Sequence, residues 1–515
     1  VTALRRSSVA VLWLLVLVQP GRSPAAPAIP PSARSASPPP ARGAGAAPAR
    51  TSAPPPARSA SPPPPARPAP AAGAGTGAGG ATATSPPPAG EEAPAPAPAT
   101  HSRLPGLAGR PPPSPDLPRP PADPTERRAW LKGALDELFA APAFAKARIG
   151  ALVVEAESGK VLYARSEKAA FNAASNVKLV TAAAALSLLG PDYRWRTTVY
   201  AAAGAKGSFL GAGGEIPGDL YIRGLGDPTL DTDDLAAIVA DLAGHGVRRV
   251  KGAIVVDESF FDGTHVGPAY DQKPESTVSR APSAAASLDG NVVGVTVVPA
   301  GKAGAPARVL VHPASSYFTM AGRIVTAASG PAVSTVETRD DAGGKTQILV
   351  SGRIRLGGEP RSFHRRVTNP PLYLGYTLKS LLERRGIGIG GTVRLGTVPP
   401  SGMRVLAAHD SVPLGVVAYH LNKRSNNFAA EQVLRTLGAE IVGRPGTWDK
   451  GIEAVGRYLA TVGVRKGSYQ MTNGSGLYDS NRFSPEQMVA VLRGAMRDFR
   501  IASEFMASLA VAGTD

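Results

Sequence analysis

The 515-residue sequence contains no cysteine. Disulfides, thiolate metal sites and thiol nucleophiles are excluded, as is an anchor through a lipid-modified cysteine; the compartment stays open. The apolar run Val9 to Val18 falls well short of the roughly 20 residues that a spanning helix needs. His245, His265, His312 and His364 show no ligand spacing, so no metal or other cofactor is implied. Gly224-x-Gly226 lacks both the lysine of a phosphate loop and the third glycine of a dinucleotide site, which argues against nucleotide binding. The formal net charge is +17, yet no base-reading motif accompanies it. An anionic envelope surface is therefore the expected partner of the basic charge, and nucleic acid is not.

About half of that charge lies in a segment unsuited to folding. Up to Ala122 there are eleven arginines against three carboxylates. Residues 1–28 have the pattern of an export signal or N-terminal anchor, with Arg5-Arg6 ahead of the apolar run and small residues around Ala25 and Ala28. Residues 29–122 are rich in proline, alanine, glycine and serine, and Ala33-Arg34-Ser35-Ala36-Ser37-Pro38 recurs at 57–62. Such a composition cannot bury enough apolar area to form a core. The expectation is a disordered spacer, reaching about 3 Å per residue where extended, that holds a folded enzyme away from a membrane or within a wall.

Folding signals begin abruptly. Asp123-Pro124-Thr125-Glu126 supplies a helix cap, a proline at the first turn and a glutamate three residues on, followed by Trp130, Leu131, Leu135, Leu138 and Phe139 as an apolar face. Ile149 to Glu155 and Lys160 to Ala164 flank the turn Glu157-Ser158-Gly159 as a hairpin. Next comes the stretch around which the chain is organised, Ser175-Asn176-Val177-Lys178 opening a helix that is apolar on nearly every side and stops at Gly190-Pro191. Ser175 and Lys178, three apart, share one helix face. A lysine whose pKa is lowered by burial can take the proton of a serine hydroxyl and make it a nucleophile. A helix-capping serine beside a snorkelling lysine is the alternative.

Residues 201–400 have the character of inserted domains. Leu220 to Leu230, a helix capped by Thr232, and Lys251 to Asp257 suggest a strand-helix-strand unit, with Asp227 and Asp257 fixing turns. Short β-like runs then alternate with Gly/Pro turns up to a helix over 373–384. In 401–515, Ser425-x-Asn427 is either a capped helix start or a second polar pair of the site, its hydroxyl relaying a proton and its amide orienting lysine and substrate. Asn473-Gly474-Ser475-Gly476-Leu477 is a turn, and Ser484-Pro485-Glu486-Gln487 a well-capped helix start.

With these motifs in place, residues 145–515 resemble the class C low-molecular-mass penicillin-binding proteins, the D-alanyl-D-alanine carboxypeptidases/endopeptidases of the cell envelope. The resemblance rests on Ser175-x-x-Lys178, Ser425-x-Asn427, the run Arg223 to Leu230, the run Asp257 to Asp262 and Asn473 to Leu477. The 250 residues between the two serines separate it from class A β-lactamases, which share the motifs but lack the insertion. The resemblance implies an α/β serine transpeptidase-like domain, split into 123–200 and 401–515 around the insertion, located in the periplasm or another extracytoplasmic part of the envelope, with peripheral membrane or wall association. It implies acyl transfer on peptidoglycan stem peptides: Lys178 deprotonates Ser175, Ser425 passes a proton to the leaving amine, Asn427 holds the substrate amide, and β-lactams act as covalent inhibitors. The family's third motif, Lys-Thr-Gly on a strand beside the serine, does not occur, and Lys345-Thr346-Gln347 lies within the insertion. A chain without that strand is expected to leave the hairpin without its pairing partners and to be feebly active. A catalytically impaired envelope protein, or a β-lactamase or esterase on the same scaffold, are the competing expectations.

Overall fold

The computed structural model describes residues 12–20, 120–202, 208–272 and 276–511. The expected spacer lies outside the described residues apart from its last three. The helices are α1 (Pro124–Ala140), α2 (Val177–Leu189), α3 (Thr232–Gly244), α4 (Pro370–Arg384), α5 (Leu414–Lys423), α6 (Asn427–Leu437), α7 (Trp448–Thr461), α8 (Pro485–Arg497) and α9 (Ala502–Ser508).

Local chemistry sets the ends of several of them. Asp123 Oδ1 accepts from the N–H groups of Thr125 at 2.8 Å and Glu126 at 2.9 Å, which starts α1. Leu135 and Phe139 of α1 pack on Ile149, Ala151, Val153 and Tyr163 of the strands Ala147–Glu155 and Val161–Arg165. Leu138, expected on that face, is 49% exposed because a 3.6-residue period turns it away from the row 131–135–139. Strand 147–155 is not left open on its other side. Leu12–Pro20 pairs with it antiparallel, Leu12 opposite Glu155 and Pro20 opposite Ala147, which corrects the expectation of an unpaired hairpin and sets part of the apolar run of the expected export segment in a strand.

The first core is helical, and α2 runs through its middle with α5, α6, α7, α8 and α9 packed against it. Ala182 to Ala185 are all buried. Alanine favours the helix and, having no bulk, lets neighbours approach from several directions at once. Gly190, at φ +85°, ends α2 in a backbone conformation that costs glycine little.

The second core lies under a five-stranded sheet in the order 393–395, 254–257, 220–223, 196–202, 403–410. The strand that leaves α2, Arg196–Ala202, lies antiparallel to Met403–Asp410, which leads back into α5. Exit and return are thus side by side. Strands 220–223 and 254–257 run parallel around α3, as a strand-helix-strand unit should. The cap of α3 is Asp231, not Thr232: Asp231 Oδ1 takes the N–H of Asp234 while Asp234 reaches back to the Asp231 N–H. Thr232 instead donates its hydroxyl to Asp289 at 2.7 Å. Asp227 and Asp257 do hold turns, accepting from the N–H groups of Thr229 and Ser259. Lys345 is far from catalysis in its bonding, donating to the Ser316 carbonyl and lying over the Tyr376 ring.

One helix bonds both cores. The polar side chains of α6 reach the segment 262–287: Asn427 Nδ2 donates to Ser279 O at 2.9 Å, Gln432 Nε2 to Ala284 O at 2.9 Å, and Arg435 to Ser283 O at 2.8 Å and Asp262 Oδ1 at 2.6 Å. The fully buried Arg435 guanidinium lies 4.2 Å from the ring centroids of both Phe261 and Trp448. Burial brings its pKa down to about 10, against the pull of Asp262.

Candidate active site

Ser175 lies in a 3-10 turn, Ala174–Asn176, just ahead of α2 and not within it. The residue before it, Ala174, has φ +45°, an uncommon conformation for a side chain with a Cβ. The Ala174 N–H donates to Asn172 Oδ1 at 2.9 Å, which helps hold the turn. The result is an exposed Ser175 at the mouth of a helix whose Lys178 is only 1% exposed.

Lys178 Nζ donates to Ser175 Oγ at 3.2 Å and to the Ser475 carbonyl at 2.6 Å. Burial lowers its pKa from 10.5 to about 8, while Glu431 acts in the opposite direction. A lysine there is neutral in part of the molecules near pH 7 and in most of them above pH 8, so it can accept a proton from the hydroxyl it touches.

The turn that receives Lys178 is itself clamped. Glu431, 1% exposed on α6, accepts the N–H of Gly474 at 3.0 Å on Oε2 and the N–H of Ser475 at 2.9 Å on Oε1. Trp448 Nε1 adds a bond to Oε2 at 2.9 Å, and the Tyr270 hydroxyl one to Oε1 at 3.2 Å. From α2, Thr181 Oγ1 donates to the Gly474 carbonyl at 2.9 Å. At φ +75°, Gly476 sits so close to the turn that carries Ser175 that a Cβ there would be 1.8 Å from the Ala174 carbonyl oxygen.

Ser425 stands at φ +50° in the exposed turn between α5 and α6. Asn426, not Ser425, caps α6, accepting from Ala429 N–H at 3.1 Å. Ser425 and Asn427 line a cavity of about 420 Å³ with Ser279, Asp289, Gly290 and Phe428. Neither side chain bonds to Ser175 or Lys178; the Asn427 amide is engaged by the Ser279 carbonyl. The structure thus joins the first pair directly, while the second pair lies at the start of α6, a helix that packs on α2. A larger cavity of about 610 Å³ between α7 and α8 shares no residue with these groups.

Sequence reasoning passed over Glu431, Trp448 and Tyr270. A glutamate embedded in Phe428-Ala429-Ala430 and Val433-Leu434 was the available signal for the first. Nothing local marks the other two.

The profile of the D-Ala-D-Ala carboxypeptidase 3 (S13) family matches residues 131–515. The chain belongs to that family. It is similar to the D-alanyl-D-alanine carboxypeptidase of Actinomadura sp. (strain R39), 34% identical over 395 residues that cover 75% of this chain and 71% of the relative. It is also similar to the D-alanyl-D-alanine carboxypeptidase DacB of Haemophilus influenzae, 27% identical over 322 residues, covering 62% of this chain and 65% of the relative, just under two thirds of its length. Among solved structures, penicillin binding protein 4 (dacB) of H. influenzae superposes with a TM-score of 0.60 at 23% identity, covering 69% of this chain and 76% of that one. Its complex with a β-lactam gives 0.57 at 24% identity, over 71% and 78%. At that identity the likeness establishes the mixed α/β fold. S13 membership makes the chain a serine-type carboxypeptidase of the class C penicillin-binding group.

Proposed function

We propose that this chain hydrolyses D-alanyl-D-alanine-ended stem peptides of peptidoglycan through an acyl-enzyme at Ser175, outside the cytoplasm, and that β-lactams acylate the same hydroxyl. The observation that carries the assignment of residues is the 3.2 Å contact between Ser175 Oγ and the buried Lys178 amine. The Actinomadura and Haemophilus relatives support the substrate by their names, and the β-lactam complex of penicillin binding protein 4 supports the inhibitor class.

Lys178 takes the Ser175 proton as Oγ attacks the carbonyl of the penultimate D-alanine. The Ser175 N–H stabilises the oxyanion that forms. The tetrahedral intermediate collapses, the C–N bond breaks, and the leaving amine receives a proton through Ser425. Asn427, whose amide rests on the Ser279 carbonyl, turns toward the substrate amide when the cavity beside it fills. The proton passed to the leaving amine is the one Lys178 took from Ser175. Water then attacks the ester and gives a proton to Lys178, which returns it to Ser175 Oγ as the acyl C–O bond breaks and the peptide is released. In this reading 123–200 and 401–515 form the catalytic domain, 201–400 the insertion, 1–28 an export signal or anchor and 29–122 a spacer.

The test is a penicillin-labelled digest read by mass spectrometry, together with D-alanine release from a soluble D-Ala-D-Ala peptide. An adduct on Ser175 and release of D-alanine are expected. An adduct elsewhere refutes the nucleophile, and rapid penicillin turnover without D-alanine release would instead mark a β-lactamase.

A further inference from the structure

The 473–476 turn bonds Lys178 through a carbonyl, and a carbonyl goes where its peptide units are held. Two consecutive N–H groups of that turn end on one carboxylate, Glu431, which is as deeply buried as Lys178 itself. The Ser475 hydroxyl, the Tyr270 hydroxyl and Glu431 continue the network at 3.2 Å steps. A buried carboxylate that accepts four hydrogen bonds is a costly feature unless it does something an apolar side chain could not.

We propose that Glu431 is a positioning residue for the serine chemistry: it clamps the 473–476 turn by its two N–H groups and so fixes the Ser475 carbonyl that holds the Lys178 amine on Ser175. This rests on the serine-enzyme reading above. Glu431 touches neither Ser175 nor Lys178 and is reached only through the turn. Its charge has a second effect. Among the described residues the charge that acts on Lys178 is Glu431; Arg435 of the same helix lies over Trp448, and Tyr270, which bonds Glu431, has Tyr478 edge-on to it at 6.4 Å. From α5, α7 and α8 the core around α2 receives mostly apolar side chains such as Val417, Val455 and Val491. The Glu431 carboxylate favours the protonated lysine and keeps its titration from falling further under burial.

A glutamine at 431 cannot do the same. Whichever way its amide is turned, its NH2 group meets a backbone N–H, of Gly474 or of Ser475. An aspartate keeps the charge but is one methylene too short for the turn. The experiment follows the Lys178 side chain of the full chain by NMR with lysine-specific labelling, assigned by loss of the signal in K178M, in wild type, E431Q and E431D. Acylation by a fluorescent penicillin is measured in parallel, with T181V as a control that loosens the same turn without a change of charge. E431Q is expected to lower the Lys178 titration midpoint by roughly one unit and to slow acylation about a hundredfold. E431D and T181V are expected to slow acylation and leave the midpoint in place. An unchanged midpoint in a cooperatively melting E431Q overturns the proposal, as does a wild-type acylation rate in E431D. Should E431Q fail to fold, E431D alone decides. A wild type that takes no penicillin refutes the proposed function instead, and the NMR midpoints still decide the role of Glu431.

Discussion

Lys178 Nζ is closer to the carbonyl oxygen of Ser475, at 2.6 Å, than to the hydroxyl of Ser175, at 3.2 Å. The shorter bond fixes the amine and the longer one leaves room for it to accept a proton. A lysine has four rotatable bonds, and burial along an alanine-rich helix together with this carbonyl removes most of that freedom before substrate arrives.

Removal of either member of the pair should therefore be severe. Ser175→Ala is expected to abolish penicillin labelling, since among the described residues Ser175 carries the hydroxyl that Lys178 Nζ bonds. Lys178→Met should retain the serine but slow acylation about 10²–10⁴-fold, the usual contribution of a general base. Stopped-flow labelling of both variants beside wild type measures this.

The rate should rise with pH. Attack needs neutral Lys178, so acylation is expected to climb through an acid limb with its midpoint near pH 8. Stability carries the same sign. The folded pKa of about 8 lies below the unfolded 10.5, so between those values the unfolded chain binds more protons. The lysine's penalty is full below pH 8 and fades as pH rises toward 10.5. The stability of wild type relative to K178M, from denaturant melts, should improve by about 3 kcal/mol across that window; a flat difference would contradict it.

Gly476→Ala is expected to disable Ser175 from a distance of 301 residues in sequence. Its methyl would collide with the Ala174 carbonyl in a conformation that already disfavours a Cβ. The predicted outcome is a loss of acylation larger than any loss of melting temperature, because the displaced element is the turn that carries Ser175.

Arg435→Ala should cost about 3–5 kcal/mol, the usual result of breaking a buried, hydrogen-bonded charge. Arg435→Met should cost less. It fills the slot between Phe261 and Trp448, and its partner Asp262 is 27% exposed and can turn to solvent. Thermal or denaturant melts of the two variants check the order.

The sequence displayed what depends on local periodicity and chemistry. The cap at Asp123, the stop at Gly190 and the reciprocal cap of Ser484 with Gln487 are set by neighbours a few residues away. Ser175 and Lys178 were legible for the same reason, being three apart with their contact made within one turn of chain. Glu431 was not, because its partners lie at 270, 448 and 474–475, and only folding brings them together. Asp231 and Thr232 both suit the cap position of α3, and what separates them is Asp289, 57 residues on, which claims the threonine hydroxyl. The pairing of Leu12–Pro20 with strand 147–155 had no local sign at all.

The side chains of α6 have a consequence for recombination between relatives. Asn427, Gln432 and Arg435 each bond to the segment 262–287, while Glu431 holds the 473–476 turn and the apolar face of the same helix packs into the core around α2. That segment is therefore not a cassette. Exchanging it with that of a relative that differs at these contacts would leave a buried guanidinium and two amides facing the wrong neighbours, and the misfit would be felt one helical turn away, at the carboxylate that holds the turn beneath Ser175. A graft that carries 427–435 along with the segment it grips should be tolerated where a graft of the segment alone is not.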